Sequence, residues 1–171
     1  MSALRRYLAR MKGGGRAPAR PPRRDLMLAG TGGCLAIAAV AWLSLRAGVP
    51  ALMAPLGASC FLAFAVPDSP LAQPRHIVGG HLVASAVGLA VLQVCGGAWW
   101  AQALAVGLAI SAMLATRTGH PPAGADPLLV FALQPGWDFL LAPVLPGSLV
   151  VALVALAFNN LRPQAAYPKY W

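Results

Sequence analysis

Residues 57–90 and 124–157 align without a gap at an offset of 67. The first stretch reads GASCFLAFAVPDSPLAQPRHIVGGHLVASAVGLA and the second GADPLLVFALQPGWDFLLAPVLPGSLVVALVALA. Eleven of the 34 pairs are identical, among them Gly57/Gly124, Phe64/Phe131, Gly80/Gly147 and Val83/Val150. Alanine-rich apolar sequence produces chance Leu and Val matches. The paired glycines and the lead-in proline of each stretch, Pro55 and Pro121, therefore carry more weight. Duplicated halves with a Pro/Gly-broken apolar segment at matching positions are the pattern of small transporters, in which the breaks lie at the binding site.

Composition sets the class. With 58% hydrophobic and 10% charged residues, the chain is not a soluble domain. It has four acids (Asp25, Asp68, Asp126 and Asp138) and no glutamate. Residues 1–24 hold eight Arg/Lys and no acid, whereas the rest holds five bases against four acids, so the net charge of +9 belongs to a tail. Nucleic-acid binding calls for basic residues on a folded face, and nothing after Arg24 supplies one. The tail, rich in Gly, Pro and Arg, reads as disordered; its charge holds the N-terminus in the cytoplasm and suits anionic headgroups. Arg23-Arg24 loosely fits a twin-arginine signal, but the apolar run that follows is about 20 residues, a span rather than a signal core.

The fold expected is an all-α polytopic membrane protein with four full-span helices and two short broken ones. The spans fall at 26–45, 77–95, 101–116 and 138–160, and the short segments at 51–66 and 121–134. One transmembrane domain thus covers 25–162, with repeat halves at about 26–95 and 99–160 and a C-terminal tail at 163–171. If the short segments cross, each half has three passages and the halves are inverted, a 3+3 arrangement. Arg75, Arg117, Arg162 and Lys169 then lie inside with the tail, and Arg46 outside. If they dip and return, the halves are parallel and Arg46, Arg75 and Arg117 all lie outside. The inverted arrangement fits the positive-inside rule better. Either way, broken backbone at membrane depth must be buried in protein or line a cavity. Gly30, Gly32, Gly33, Gly79, Gly80 and Gly107 are expected to let helices approach closely.

The stretch Gly119-His120-Pro121-Pro122-Ala123-Gly124, with APLGAS at 54–59 and FAVPDSPLAQPRHIVGGHL at 64–82, resembles the HPP family of integral membrane proteins. The resemblance covers about residues 26–162. It implies four spans, which favours the re-entrant arrangement. It also implies transport, since members in plastids and cyanobacteria are associated with nitrite. Some relatives carry a regulatory CBS region, for which 171 residues leave no room. Asp126 departs from the family pattern, where a small or hydroxyl residue is more common.

The residues themselves point to an anion. A proline-started helix exposes unpaired N–H groups and the positive end of its dipole. The small residues behind Pro55 (Gly57 and Ser59) and behind Pro121-Pro122 (Gly124) let an anion approach the backbone. Ser59 offers a hydroxyl and Arg75 a bidentate fork. The competing reading is that the breaks only join helices while Arg75 snorkels to headgroups. His120 either binds substrate, carries a proton or hydrogen-bonds a helix start. His81, inside the third helix, is either functional or tied to a carbonyl. Asp126 either binds a coupling proton or pairs with Arg117; a carboxylate beside an anion site must be protonated to avoid repelling it. Asp68 either caps the next helix or pairs with Arg75.

An enzyme is not expected. No Ser–His–Asp ordering stands out, and there is neither a phosphate loop nor a cofactor motif. The histidines form no metal-ligand pattern, and Cys34, Cys60 and Cys95 read as small hydrophobes. The expected function is a transporter or channel for a small inorganic anion, nitrite first, in a bacterial inner membrane. Its partners are that anion, lipid and further copies of itself, because so small a bundle needs an oligomer to bury its surfaces. The alternative is a membrane scaffold or sensor subunit that transports nothing.

Overall fold

A computed structural model describes residues 3–12, 14–48, 50–162 and 166–171. Seven helices follow in order: α1 (Ala3–Met11), α2 (Arg23–Ala47), α3 (Pro55–Ala65), α4 (Pro74–Cys95), α5 (Trp99–Ala115), α6 (Asp126–Leu133) and α7 (Val144–Asn160). Short 3-10 turns at Pro121–Ala125 and Trp137–Leu140 lead into α6 and α7. The punctuation is local. Pro55 and Pro74 open α3 and α4 at positions that lack a helical N–H partner. Gly48, at φ 64°, closes α2 in the left-handed region that glycine enters freely.

Among the described residues, three stretches are long and apolar enough to cross a membrane: Arg23–Ala47, Pro74–Cys95 and Trp137–Asn160. The fourth expected span, 101–116, is α5. Its 17 residues give a rod of about 26 Å, slightly short of a hydrocarbon core of about 30 Å. Large apolar side chains such as Phe61, Leu104, Leu114 and Leu153 point outward, while α5 buries Ala101, Ala105 and Ala109 and α7 buries Gly147, Ala152 and Ala155. An apolar exterior around a small-residue interior is how helices pack when the solvent is lipid.

One expectation about the tail is corrected. Residues 1–24 are not wholly irregular, because Ala3–Met11 is helical. ALRRYLARM consists almost entirely of strong helix formers, and Leu4, Tyr7, Leu8 and Met11 recur at helical spacing, all exposed.

Contacts gather the helix ends at two poles. At the first, Arg24 and Arg162 line one small pocket, and Arg162 Nη2 donates to the Phe64 carbonyl at the end of α3 (3.2 Å). Arg75 donates to the carbonyls of Arg117 and Thr116, which places the start of α4 beside the end of α5. The C-terminal residues close this pole. Tyr167 Oη donates to Ala72 O (2.6 Å), the Lys169 amide to Gln73 Oε1 (2.7 Å), and Lys169 Nζ pairs with Asp68 (2.9 Å). Burial pushes the Tyr167 phenol pKa up. Asp68 therefore pairs with Lys169, not Arg75. At the second pole the Ala51 amide donates to Ser44 Oγ near the end of α2, and Trp137 Nε1 donates to Gln93 Oε1 near the end of α4. Each short helix, together with the extended segment before it, thus leads from one group of helix ends toward the other.

Positions 67 apart make reciprocal contacts. A Cβ at Gly80 would lie 2.9 Å from the Thr118 carbonyl oxygen and 2.6 Å from His120 Cβ. A Cβ at Gly147 would collide with the carbonyl oxygen of Ala51. Gly80 and Gly147 are separated by 67 positions, and so are Ala51 and Thr118. Each half thus presses the extended strand before its short helix onto a glycine of the other half's long helix. Ser44 and Ser111, also 67 apart, repeat one detail: each hydroxyl donates to the carbonyl four residues earlier, Val40 and Gly107.

The other glycines divide. Gly32 meets the Phe64 ring and Gly79 the Thr118 side chain, as expected of close approaches. A Cβ at Gly30 or Gly107 would meet no other part of the chain within 4 Å, so neither glycine is required for a close helix approach.

Candidate functional site

Four elements converge on one polar chain in the apolar interior. Ser59 comes from α3, His81 and Ser85 from α4, His120 from the extended segment before the 3-10 turn, and Asp126 from the first residue of α6. Ser59 Oγ lies 2.8 Å from His81 Nε2 and 2.8 Å from His120 Nε2. His81 Nδ1 lies 2.7 Å from Asp126 Oδ2, which also accepts from Ser85 Oγ at 3.2 Å. His120 Nδ1 donates to the Leu71 carbonyl at 2.8 Å. Ser59, His81, Ser85 and Asp126 are wholly buried, and His120 is 1% exposed. The two imidazoles meet edge to face with centroids 5.2 Å apart.

The local sequence explains the convergence. His120 reaches Ser59 because Gly80 lets its backbone press against α4. Asp126 reaches His81 and Ser85, which are one helical turn apart on one face of α4, because Pro127 packs against Gly88 one turn further on. Asp126 Oδ1 is buried without a hydrogen-bond partner, an expensive condition for an ionised carboxylate in an apolar bundle.

Cavities meet this chain at one end. A cavity of about 340 Å³ is lined by Leu71, Met113, Leu114, Gly119, His120 and Gly124, with His120 the polar contributor. A Cβ at Gly124 would meet nothing within 4 Å, so space lies beside it. A wider groove of about 850 Å³ runs between the short helices, past Pro55, Ala58, Phe61, Pro121, Pro122 and Leu128. That groove is lined by apolar side chains. Gly57 faces a different groove, against α2.

The structure thus brings together Ser59, His81, His120 and Asp126, with Gly124 at the cavity edge. It separates Arg75, whose guanidinium is on the carbonyls that end α5. Asp126 pairs with His81, not with Arg117. No Ser–His–Asp ordering stands out along the sequence, yet Ser59, His81 and Asp126 are hydrogen-bonded in that order. The partners lie 22 and 45 positions apart in sequence, a separation with no local signature. One signal was present in the repeat, because Ser59 and Asp126 occupy equivalent positions at the offset of 67. Ser85 was missed altogether. His76 Nδ1 donates to Gly119 O (2.7 Å), and its Nε2 lies 2.9 Å from Tyr170 Oη.

Apolar helices around a buried ionisable chain define a helical membrane protein. The profile described as "HPP, transmembrane region" matches residues 18–168, and the chain belongs to that family. It is 36% identical over 167 residues to one transmembrane protein of Dictyostelium discoideum, covering 89% of this chain and 59% of the relative. It is 35% identical over 177 residues to another from the same organism, covering 96% and 57%. The chain therefore spans somewhat over half the length of these relatives. No solved structure matches it.

Proposed function

We propose that this protein transports a small inorganic anion, nitrite first, together with a proton handled by Ser59, His81, His120 and Asp126. One observation carries the reading: a continuous buried hydrogen-bond chain runs from the edge of a cavity, at His120, to Asp126. Ionisable groups at membrane depth are costly and mark ion or proton pathways. The cavity beside His120, Pro121 and Gly124 has room for a small oxyanion, and a protonated His120 would meet its charge. Pro55 and Pro122 then shape the passage without offering polar side chains, Gly57 faces another groove, and Arg75 acts outside the site.

The Ser59–His81–Asp126 order also occurs in serine hydrolases. Here the hydroxyl is held between two imidazole nitrogens and is wholly buried. A nucleophile needs an electrophile about 3 Å away, and that position is taken by His120. Transport is the better reading.

The two poles support six passages in inverted halves, α2–α4 and α5–α7. The extended strands before α3 and α6 complete the short crossings, and their backbones are buried against Gly147 and Gly80, as lipid requires. Arg24, Arg75, Arg117, Arg162 and Lys169 gather at one pole and Arg46 ends α2 at the other, which by the positive-inside rule supports a reading with both termini in the cytoplasm of a bacterial inner membrane. A homo-oligomer is the assembly we expect for so small a bundle.

Nitrite flux into proteoliposomes, with and without a pH gradient, tests the reading. Saturable uptake lost in His120→Ala supports it. No flux of nitrite, nitrate, formate or chloride through correctly inserted protein would instead indicate a scaffold or sensor subunit.

A further inference from the structure

We infer that the chain Leu71 O–His120–Ser59–His81–Asp126 is a one-proton store, holding a single exchangeable proton at the Asp126–His81 pair and passing it through Ser59 to His120. The chain contains four short contacts, between 2.7 and 2.8 Å, and each needs a hydrogen between its two heavy atoms. Two neutral imidazoles and one hydroxyl supply three. The Leu71 carbonyl only accepts, so His120 Nδ1 carries its hydrogen and His120 Nε2 presents a lone pair to Ser59. If Asp126 is ionised and His81 neutral, His81 Nδ1 holds its hydrogen toward the carboxylate and Nε2 also presents a lone pair to Ser59. One hydroxyl hydrogen cannot serve both. Donating it to the Pro55 carbonyl, 3.3 Å away, only raises the demand, because both Nε2 atoms would then need hydrogens.

A fourth proton resolves the conflict. It either protonates Asp126, which donates to His81 Nδ1 while His81 Nε2–H donates to Ser59, or makes His81 an imidazolium beside the carboxylate. Both forms are neutral overall, the state a low-dielectric interior favours. Among the described residues no other counter-charge faces the chain; Asp138 lies in the turn at Trp137–Leu140, beside Gln93 toward the far end of α4. α5 and α7 carry no ionisable side chain, α3 carries only Cys60, and α6 only Asp126. On α4, Arg75 is on the α5 carbonyls, His76 is tied to Gly119 and Tyr170, and Cys95 lies at the far end.

Transfer is balanced in atoms. The His81 Nε2–H bond breaks as that proton joins Ser59 Oγ, the former Ser59 O–H proton moves to His120 Nε2, and in the acid form the Asp126 O–H proton passes to His81 Nδ1. His120 becomes an imidazolium at the cavity edge and the Asp126–His81 pair is left with one negative charge. The count itself is independent of the substrate; the use of the proton rests on the anion-transport reading.

Nitrogen-15 spectra of histidine-labelled full-length protein in bilayers, without any anion, test the store. We expect His120 as an Nδ1–H tautomer and His81 with hydrogen on Nε2 at neutral pH. Infrared difference spectra should show one carboxyl or imidazolium signal lost on alkalinisation, absent in Asp126→Asn, whose amide supplies the fourth hydrogen permanently. Both histidines as neutral Nδ1–H tautomers beside an ionised Asp126 would overturn the store, and that spectrum is read on the unmutated chain. An intact store without nitrite flux would refute the substrate and leave the store standing. Gradient-driven flux with no stored proton would do the reverse.

Discussion

Ser59 and Asp126 occupy equivalent positions of the two repeat stretches, and His81 joins them, 2.8 Å from the serine hydroxyl and 2.7 Å from the carboxylate. The position equivalent to His81 in the second stretch is Ser148, whose hydroxyl donates instead to Val144 O of its own helix (2.7 Å). The repeat is therefore broken in chemistry where it is kept in packing, and the asymmetry gives the chain a direction, from Asp126 toward His120.

Asp126→Asn and Asp126→Ala should part company. Asparagine keeps a partner for His81 Nδ1 and Ser85, so unfolding in detergent should shift by less than about 1 kcal/mol. Alanine leaves both groups buried and unpaired, at a cost of about 1–3 kcal/mol each. Thermal unfolding followed by circular dichroism checks the order. Both variants should lose dependence of uptake on the pH gradient.

Ser59→Ala removes the atom common to both histidines while leaving the helix intact. Proton-driven uptake should fall at least about ten-fold, the equivalent of 1.4 kcal/mol in a barrier. Downhill binding of the anion should change much less. Equal loss of binding and gradient-driven flux would argue that Ser59 contacts the anion directly.

The reciprocal glycines predict paired effects. Gly80→Ala and Gly147→Ala each drive a methyl group into a backbone carbonyl of the other half, an overpacking cost of about 1–3 kcal/mol. Gly124→Ala meets open space, so stability should hold while the cavity beside His120 narrows and uptake slows. Expression and melting temperature separate the two classes.

The arrangement of passages is testable by thiol labelling. With Cys34, Cys60 and Cys95 replaced, Arg46→Cys should label from one side of the membrane and Arg117→Cys from the other. Labelling of both from the same side would favour re-entrant short segments and parallel halves.

Much of this protein was legible before any contact was known. The apolar composition, the broken segments and the His120-Pro121-Pro122 stretch settled a helical membrane protein, because hydrophobic runs and proline punctuation act locally. The matched glycines Gly80 and Gly147 signalled a packing relation, although not which backbone they meet. The helix at Ala3–Met11 was obscured by the Gly- and Pro-rich residues that follow it, which dominate the composition of the tail.

What local pattern could not reveal was the use of the polar residues. Asp126 had two plausible partners by charge, and took His81 because Pro127 seats against Gly88 and turns the carboxylate toward α4. Arg75 had the chemistry of an anion clamp and instead caps α5, because the start of α4 lies beside the end of α5. Membrane class and repeat follow from hydrophobicity and backbone propensity along the chain. Which hydroxyl, imidazole and carboxylate share a hydrogen depends on distances between helices far apart in sequence, and only their packing against one another decides it.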